Sequence, residues 1–421
     1  MTSLGHHPPV VRSAGPGRGG GRGRPLHPGR ADPGTAIGSW AFLGITVVSL
    51  GGPLALAALY APTIVADASG SAGLVTVGAA VLFVAPLLVW LRYSRHVASS
   101  GGLYAFVEAA AGHRVALVHA GLWTVSYVLY LLSTTAAIVY DTLPDVLPRV
   151  GPYQPLLLVA LPLALAVAVV LGRTVTLAVT GVLAVGQLVL VAALAAVTLT
   201  HSGPTAALPG TSFTAAAGPA AIATASAQTA LLYVCGSLPL FLGGDVANAR
   251  RTVRRGLVTG YVLVAGGVVA TVAPLAANPA FTRAPIPGMS VARVFVGEPF
   301  AVTVGLGVAA SVAGVMLVEL IALSRLLHAV SGRPSRTFVR LLAVLLVAAA
   351  PLTLLDPETV YTSLLKPSLI ALWLSQLMVF VVYPRFAARH GGRLLLSTPL
   401  AAVASAFAVY GMYATVQHVT T

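Results

Sequence analysis

The sequence predicts an all-α polytopic membrane protein of about eleven transmembrane helices, with two inverted five-helix repeats in which helices 1 and 6 are discontinuous. Three observations predict this fold: the apolar composition, the alternation of charge along the chain and a pair of interrupted apolar segments. Of the 421 residues, 57% are hydrophobic and 8% are charged, which is not the composition of a water-soluble domain. Most of the chain is therefore expected to lie in a lipid bilayer.

Eleven apolar stretches are long enough to cross a bilayer, which takes about 20 mainly apolar residues in a helix. They are rich in Leu, Val and Ala and lack the alternation of barrel strands, so each is predicted to be helical. Numbered 1 to 11 in chain order, the predicted spans cover residues 40–62, 71–91, 115–140, 154–172, 174–200, 222–243, 256–277, 299–323, 338–355, 359–383 and 394–418. No soluble domain of useful size is left between them.

Arginine falls in alternate loops, and this pattern predicts the orientation of the chain. With the N-terminus in the cytoplasm, 20 of the 24 basic residues lie on the cytoplasmic side, three lie outside and Lys366 lies within span 10. Such an excess on one side indicates a multi-pass protein of the cytoplasmic (inner) membrane. The net charge of +14 therefore does not indicate nucleic acid as a partner, since no basic cluster is interleaved with exposed aromatic residues.

The remaining organisation follows from composition. Residues 1–38 are rich in Gly, Pro and Arg and lack an apolar core, so a disordered basic cytoplasmic tail is predicted there. The repeats are assigned to 39–200 and 218–383, and 394–418 is an additional helix. Cys235 is the only cysteine, which excludes an internal disulfide. No histidine cluster has ligand spacing, so neither a metal site nor a cofactor is expected.

The interrupted segments lie in spans 1 and 6. Span 1 contains SLGGPLAL around Gly51 and Gly52, and span 6 contains CGSLP at a comparable depth. Five spans separate their starts, so span 6 enters the membrane from the side opposite to span 1, as inverted halves require. Secondary transporters bind their substrates between broken helices of this kind. Simple kinks, or close helix packing through small residues, are the alternative interpretation.

A broken helix offers opposite partial charges to a substrate. The start of a half-helix presents N–H groups to a carboxylate, and the end of one presents carbonyl groups to an ammonium, so a single zwitterion satisfies both. Residues 49–53 and 235–239 are therefore predicted to contact substrate, with buried packing as the alternative role for the tyrosine and the cysteine among the candidates. The candidate substrate-binding residues are Ser49, Gly51, Gly52, Tyr233, Cys235, Gly236 and Ser237.

Three motifs resemble one transporter family. GGDVANARRTVRRG follows span 6, SSGGLYAFVEAAAG precedes span 3 and LSRLLHAVSGR follows span 8. Each resembles the corresponding segment of amino acid permeases of the amino acid/polyamine/organocation superfamily, with Asp245, Asn248 and Arg251 at the matching positions of the first. The resemblance covers residues 40–383 and implies a ten-helix core of two inverted repeats. Alanine after Asn248, a less glycine-rich span 1 and eleven spans in place of twelve are departures from the family.

Ionisable and long polar side chains within spans are costly in lipid and become candidates for coupling or gating. Asp245 is expected to pair with the arginines that follow it, or to cap the helix. Glu319 is expected to carry a proton, or else to reach cytoplasmic water or pair with a loop arginine. Lys366 either extends to the outer surface or faces the interior. Gln187 is the only long polar side chain of span 5, where the resemblance implies a lysine in some proton-coupled relatives, and Ser311 is a candidate sodium ligand.

The sequence therefore predicts a permease that moves an amino acid or related amine by alternating access. Its expected partners are this small-molecule substrate, a coupling ion and the lipid bilayer. Proton symport is favoured over sodium coupling and exchange, and a neutral amino acid over a polyamine, because no acidic residue lies at either break. An amino acid/polyamine exchanger is one alternative. A membrane enzyme would need convergent His, Asp or Glu side chains near one face, and a channel would show rings of charge, so both are disfavoured.

Overall fold

The computed structural model describes residues 36–68, 70–201, 213–246 and 248–418. Within them, eleven helices are long and apolar enough to cross a membrane, which is the predicted number. Spans 1 to 11 are Ser39–Val65, Ala72–Ser94, His113–Val146, Pro148–Val170, Arg173–His201, Pro219–Asp245, Ala249–Leu275, Glu298–Ser331, Ser335–Leu355, Pro357–Arg389 and Leu394–Gln417. The predicted tail lies, up to residue 35, outside the described residues.

Several helices continue beyond their apolar runs. Span 8 ends at Ser331, eight residues after the predicted 323, and span 7 begins at Ala249 and not at residue 256. The segment RRTVRRG is therefore helical and places its four arginines on the first two turns of the span. Arginine has a high helix propensity and keeps its charge in water when it lies at a membrane surface, so a basic segment can extend a spanning helix.

The two halves of the chain repeat the same order of elements. A short helix, Leu103–Ala111, separates spans 2 and 3, and a second short helix, Pro287–Phe295, separates spans 7 and 8. Spans 1 to 5 and 6 to 10 form the two inverted repeats, and span 11 packs outside them against spans 2, 6 and 10. Because successive spans cross in opposite directions, the arginine-rich loops share one side of the membrane with the start of span 1. We call this the basic side.

Span 1 is broken where the sequence predicts. Its first α-helical segment ends at Ser49, and the next begins at Pro53. Gly51 and Gly52 between them have φ values of +75° and +65°, which residues with a side chain adopt only at a cost. A Cβ atom on Gly51 would lie 2.7 Å from the Leu232 carbonyl oxygen. Glycine is therefore required there by both conformation and space.

Span 6 changes its helical form at the corresponding place. Its α-helix ends at Leu231, and a 3₁₀ segment runs from Leu232 to Asp245. The side chain of Leu50 fills the space beside Gly236, where a Cβ atom would lie 2.5 Å from Leu50 Cδ2. The two discontinuities therefore meet in the centre of the bundle. Spans 1, 6 and 8 are the most buried of the described spans, and the peripheral spans 5 and 9 expose apolar faces where lipid would lie.

Candidate substrate site

A cavity of about 90 Å³ lies where the two discontinuities meet. One buried water needs roughly 10–15 Å³ of such space, so the cavity has room for a small solute. Spans 1, 3, 6, 8 and 10 contribute its walls. The lining residues are Gly51, Leu56, Tyr60, Ser126, Tyr127, Tyr130, Leu231, Leu232, Val234, Cys235, Val312, Val315, Leu369 and Leu372. None of them is an acid or a base, and most are apolar.

The candidate residues of span 1 lie at different distances from this cavity. Gly51 lines it. Gly52 lies behind it, where a Cβ atom would be 2.5 Å from the Ser311 hydroxyl oxygen. The Ser49 hydroxyl is buried and donates to the Thr46 carbonyl within its own helix, over 2.9 Å. In this conformation Gly51 is therefore the span 1 candidate with direct access to the cavity.

The candidates of span 6 are similarly divided. Cys235 lines the cavity, and its thiol donates a weak hydrogen bond to Glu319 Oε1 over 4.0 Å. Gly236 faces the Leu50 side chain. The Ser237 hydroxyl donates to the Val234 carbonyl over 3.1 Å. The ring of Tyr233 turns away from the cavity and packs against aromatic rings of spans 2 and 7.

Three buried polar groups form a layer between the cavity and the basic side. Glu319 follows the cavity-lining Val315 by one turn of span 8, and Gln376 similarly follows Leu372 in span 10. Gln376 Nε2 donates to the Ser237 hydroxyl over 3.3 Å. Glu319 Oε2 and Gln376 Oε1 have no hydrogen-bond partner within the described residues. We call Ser237, Glu319 and Gln376 the polar layer. Burial without partners is costly for such oxygen atoms.

The same region contains functional candidates that sequence reasoning missed. Tyr127 lines the cavity, and its buried hydroxyl lies close to the Cys235 thiol and the Ser237 hydroxyl. His119 lies two turns from Tyr127 in span 3 and is fully buried, with neither ring nitrogen paired in the described part of the chain. Gln376 and His119 could have been noted as long polar residues within apolar runs. Tyr127 could not, because tyrosine is common in membrane helices as a packing residue.

Ser311 connects three spans on the other side of the break. Its hydroxyl donates to Gln187 Oε1 over 2.8 Å and accepts from the Ala55 backbone N–H over 3.2 Å. That N–H belongs to the first turn after the break, whose N–H groups have no partner within the helix. Gln187 Nε2 has no partner within the described residues. Ser311 therefore caps the half-helix whose N–H groups were predicted to bind a substrate carboxylate.

Asp245 lies on the basic side of the site, and its partner differs from the prediction. Its carboxylate forms an ion pair with Arg325 of span 8 over 2.7 Å, so the expected pairing with the arginines that follow it was wrong. Asn248 has a left-handed conformation, with φ of 49°, and starts a new helix that carries those arginines elsewhere. The Asp245 carbonyl also accepts from the Ile37 N–H and from Arg173. Spans 1, 5, 6 and 8 are thereby joined.

The other two charged candidates also have defined environments. Glu319 neither reaches water nor pairs with a loop arginine, because it is fully buried and Arg325 is engaged by Asp245. Lys366 is half-buried in span 10, and none of the ion pairs among the described residues includes it. Its contribution to coupling stays a prediction.

Structural comparison finds many membrane transporters. A Na⁺-coupled sialic acid symporter in a substrate-bound outward-open state has a TM-score of 0.58 and 14% identity, over 91% of this chain and 90% of that one. MhsT in complex with L-phenylalanine has a TM-score of 0.61 and 15% identity, over 89% and 97%. A manganese transporter of Eremococcus coleocola, in a mutant form, has a TM-score of 0.63 and 10% identity, over 90% and 87%.

The fold is that of the LeuT-type secondary transporters. This confirms the predicted architecture of inverted repeats with discontinuous helices 1 and 6. The sequence matches no protein-family model and no curated protein. At 10–15% identity the structural likeness shows the fold alone. It does not distinguish amino acid permeases from other families with this fold, since these three similar structures are named for a sialic acid, L-phenylalanine and manganese.

In LeuT-type transporters, substrate and ion sites lie near the bilayer midplane at the broken helices. The 90 Å³ cavity occupies this position here, between Gly51 of span 1 and Cys235 of span 6. Apolar walls with a few hydroxyl groups and free backbone atoms are typical of small-molecule sites. The arrangement can therefore enclose a small, uncharged or zwitterionic solute, with the Asp245–Arg325 ion pair on its basic side.

Proposed function

We propose that this protein is a secondary active transporter that moves a neutral amino acid or a related small amine across the cytoplasmic membrane by alternating access. The observation that carries the proposal is the cavity between the breaks of spans 1 and 6, with Gly51 on one wall and Cys235 on the other. We assign the basic side to the cytoplasm, because an excess of arginine in alternate loops marks that side. With this orientation, the Asp245–Arg325 ion pair lies at the cytoplasmic entrance to the cavity.

The cavity supports a small and largely neutral substrate. Its lining contains no carboxylate that would attract a second ammonium group, as a polyamine would require. Leucine and valine side chains from spans 8 and 10 provide an apolar surface for a side chain, and hydroxyl groups of span 3 provide polar contacts. We assign the polar ends of the substrate to the backbone carbonyl of Gly51, whose N–H already donates to the Ser49 carbonyl, and to the hydroxyl of Tyr127, which lines the cavity.

We assign coupling to a proton carried by Glu319. An ionised carboxylate is very costly in a low-dielectric interior without a cation or several donors. Within the described residues Glu319 has only the weak contact from the Cys235 thiol. In the closed conformation the carboxyl group therefore holds a proton, and opening of the basic side to water releases it. Protonation and substrate binding are then linked through Cys235, which contacts both the cavity and Glu319.

The surroundings of Ser311 support a proton over sodium. A sodium ion is coordinated by oxygen atoms, but the Ser311 oxygen already accepts from Ala55 N–H and donates to Gln187. The Gln187 Nε2 group brings hydrogen-bond donors to the same place, and donors repel a cation. Ser311 and Gln187 therefore connect spans 1, 5 and 8 in this proposal and do not bind an ion.

The test combines uptake with thiol protection. Radiolabelled neutral amino acids are offered to proteoliposomes with and without an inward proton gradient, and Cys235, the only cysteine, is labelled with N-ethylmaleimide in parallel. The transported amino acid should show saturable, gradient-dependent uptake and should slow the labelling of Cys235. The Cys235→Ser variant provides the background for labelling. Absence of saturable uptake under proton, sodium and exchange conditions would contradict the proposal.

A further inference from the structure

An open cleft of about 1200 Å³ lies on the basic side, between the end of span 2 and the first three turns of span 7. One wall is formed by Arg95 and His96, which follow span 2. The other wall carries four arginines on consecutive turns of span 7, and no carboxylate lines the cleft. The four arginines are Arg250, Arg251, Arg254 and Arg255. We call this feature the arginine cleft.

The charges of the arginine cleft are not neutralised by the rest of the described structure. The three ion pairs among the described residues involve other basic groups, namely His113, Arg293 and Arg325. Instead, Arg250 donates to the Arg95 backbone carbonyl over 3.0 Å, which brings the two basic walls together. Like charges that line one cleft repel each other, and a bound anion would offset that repulsion.

The pKa of His96 is consistent with this positive environment. Its pKa is lowered by partial desolvation and by the neighbouring His390, Arg250 and Arg95. A second cleft of about 260 Å³ shares Arg95 and His96 with the first and adds Arg92 and Arg393 from the ends of spans 2 and 11. Basic side chains therefore line two adjoining clefts, from span 7 to the start of span 11.

The arginine cleft continues into an apolar surface within the membrane. Arg251, Arg255, Val258 and Val262 follow one another at helical spacing on one face of span 7, and the cleft lining extends to Val258 and Thr259. Val258 and Val262 are 39% and 63% exposed. Seven residues separate Arg255 from Val262, or about 10 Å along the helix. A ligand with phosphate at the arginines would thus have acyl chains beside the valines.

We propose that the arginine cleft binds the headgroup of an anionic phospholipid, with the guanidinium groups on its phosphate oxygens and its acyl chains along span 7. Guanidinium groups bind phosphate through paired N–H donors, and basic pockets at the inner surface of a membrane protein bind anionic headgroups. The continuity of the two clefts favours a lipid with two phosphates. Cardiolipin is therefore the probe, with phosphatidylglycerol and phosphatidylcholine for comparison.

The experiment is native mass spectrometry of the full-length purified protein with added lipid. The test variant is Arg251→Gln/Arg255→Gln, which leaves the Arg250 hydrogen bond in place. The matched control is Arg336→Gln/Arg340→Gln, because these exposed arginines have the same spacing at the start of span 9 on the same side. The test variant should bind cardiolipin roughly 30-fold more weakly, and the control should keep wild-type affinity within about twofold.

Two further measurements make the result decisive. Arg95→Gln changes the opposite wall of the cleft and leaves the sequence of span 7 intact, so it should also weaken cardiolipin binding. If the test variant lost binding only because span 7 misfolds, Arg95→Gln would bind cardiolipin as the wild type does. Equal loss in the test and control variants would mean that only total charge matters, which contradicts a site. Equal binding of cardiolipin and phosphatidylcholine would also contradict a site for anionic lipid. If millimolar inorganic phosphate fully displaces cardiolipin, the cleft binds a soluble phosphate, and the lipid assignment is wrong.

Discussion

The hydroxyl of Ser311 in span 8 lies 2.8 Å from Gln187 Oε1 in span 5 and donates a hydrogen bond to it. The same hydroxyl accepts from Ala55 N–H at the start of the second half of span 1. One buried serine therefore satisfies two groups, on two other helices, that no water reaches. Unpartnered buried groups each cost about 1–3 kcal/mol.

Ser311→Ala is therefore expected to destabilise the protein by about 2–6 kcal/mol, because Ala55 N–H and Gln187 Oε1 lose their partner together. The measurement is the free energy of unfolding, or Tm, in detergent. Ser375→Ala is the matched control, since Ser375 is equally buried but bonds only to Leu372 within its own helix. Equal effects of the two substitutions would show that the link between spans contributes nothing.

Gly52→Ala should abolish transport. The left-handed backbone costs alanine about 1–2 kcal/mol, and its Cβ would lie 2.5 Å from the Ser311 hydroxyl oxygen. Uptake is measured after confirming by size-exclusion chromatography that the variant is folded. Gly186→Ala is the control, because a Cβ atom there meets nothing within 4 Å. Wild-type uptake by Gly52→Ala would show that the break tolerates a side chain.

Glu319→Gln should uncouple transport from the proton gradient. The amide is uncharged and close in shape to a protonated carboxyl group, so exchange of substrate across the membrane should continue while gradient-driven accumulation is lost. Counterflow and gradient-driven uptake in the same proteoliposomes measure the two activities. Glu358→Gln, an exposed carboxylate near the start of span 10, should change neither. Retained accumulation in Glu319→Gln would assign the coupling proton to another group.

Breaking the Asp245–Arg325 pair should open the basic side. The pair is 2.7 Å long and its side chains are 22–28% exposed, so its contribution to stability is expected to be about 1 kcal/mol or less. Asp245→Asn and Arg325→Gln should each increase the rate at which a membrane-impermeant maleimide, added on that side, labels Cys235. A double variant no faster than either single one would show that both changes act through the pair. Unchanged labelling in all three variants would contradict a gating role.

His96 should make stability dependent on pH below its ordinary pKa of about 6.5. Partial desolvation, His390, Arg250 and Arg95 lower its pKa in the folded protein. In the window between the lowered pKa and 6.5, the unfolded chain binds a proton that the folded chain does not, so stability falls as the solution is acidified. Tm measured from pH 7 to pH 5 should fall less steeply in His96→Gln. Identical slopes would show that other groups dominate this range.

The spans and the breaks could be predicted from sequence because both depend on local properties. About 20 apolar residues suffice to define a span, and SLGGPLAL places two glycines where no other residue fits. The start of span 7 was missed because spans were defined by the length of their apolar runs, and the first turns of this helix are basic. Composition alone marks where lipid ends, but the helix continues into the headgroup layer.

The partners within the site could not be predicted in the same way. Asp245 pairs with a residue 80 positions later and not with the arginines that follow it within ten residues, because the turn at Asn248 carries those away. Tyr127 and Gln376 become notable only when the packing of spans 3, 6, 8 and 10 places them beside the cavity or the polar layer. Such contacts depend on how helices from distant parts of the chain meet.

The discontinuities of spans 1 and 6 are interlocked. Leu50 occupies the space beside Gly236, and Gly51 lies against the Leu232 carbonyl, so each helix fills a notch in the other. Neither can slide or rotate far without forcing atoms into contact. In the proposed alternating access, spans 1 and 6 are therefore expected to move together, with the hinges where this pair of helices joins its neighbours.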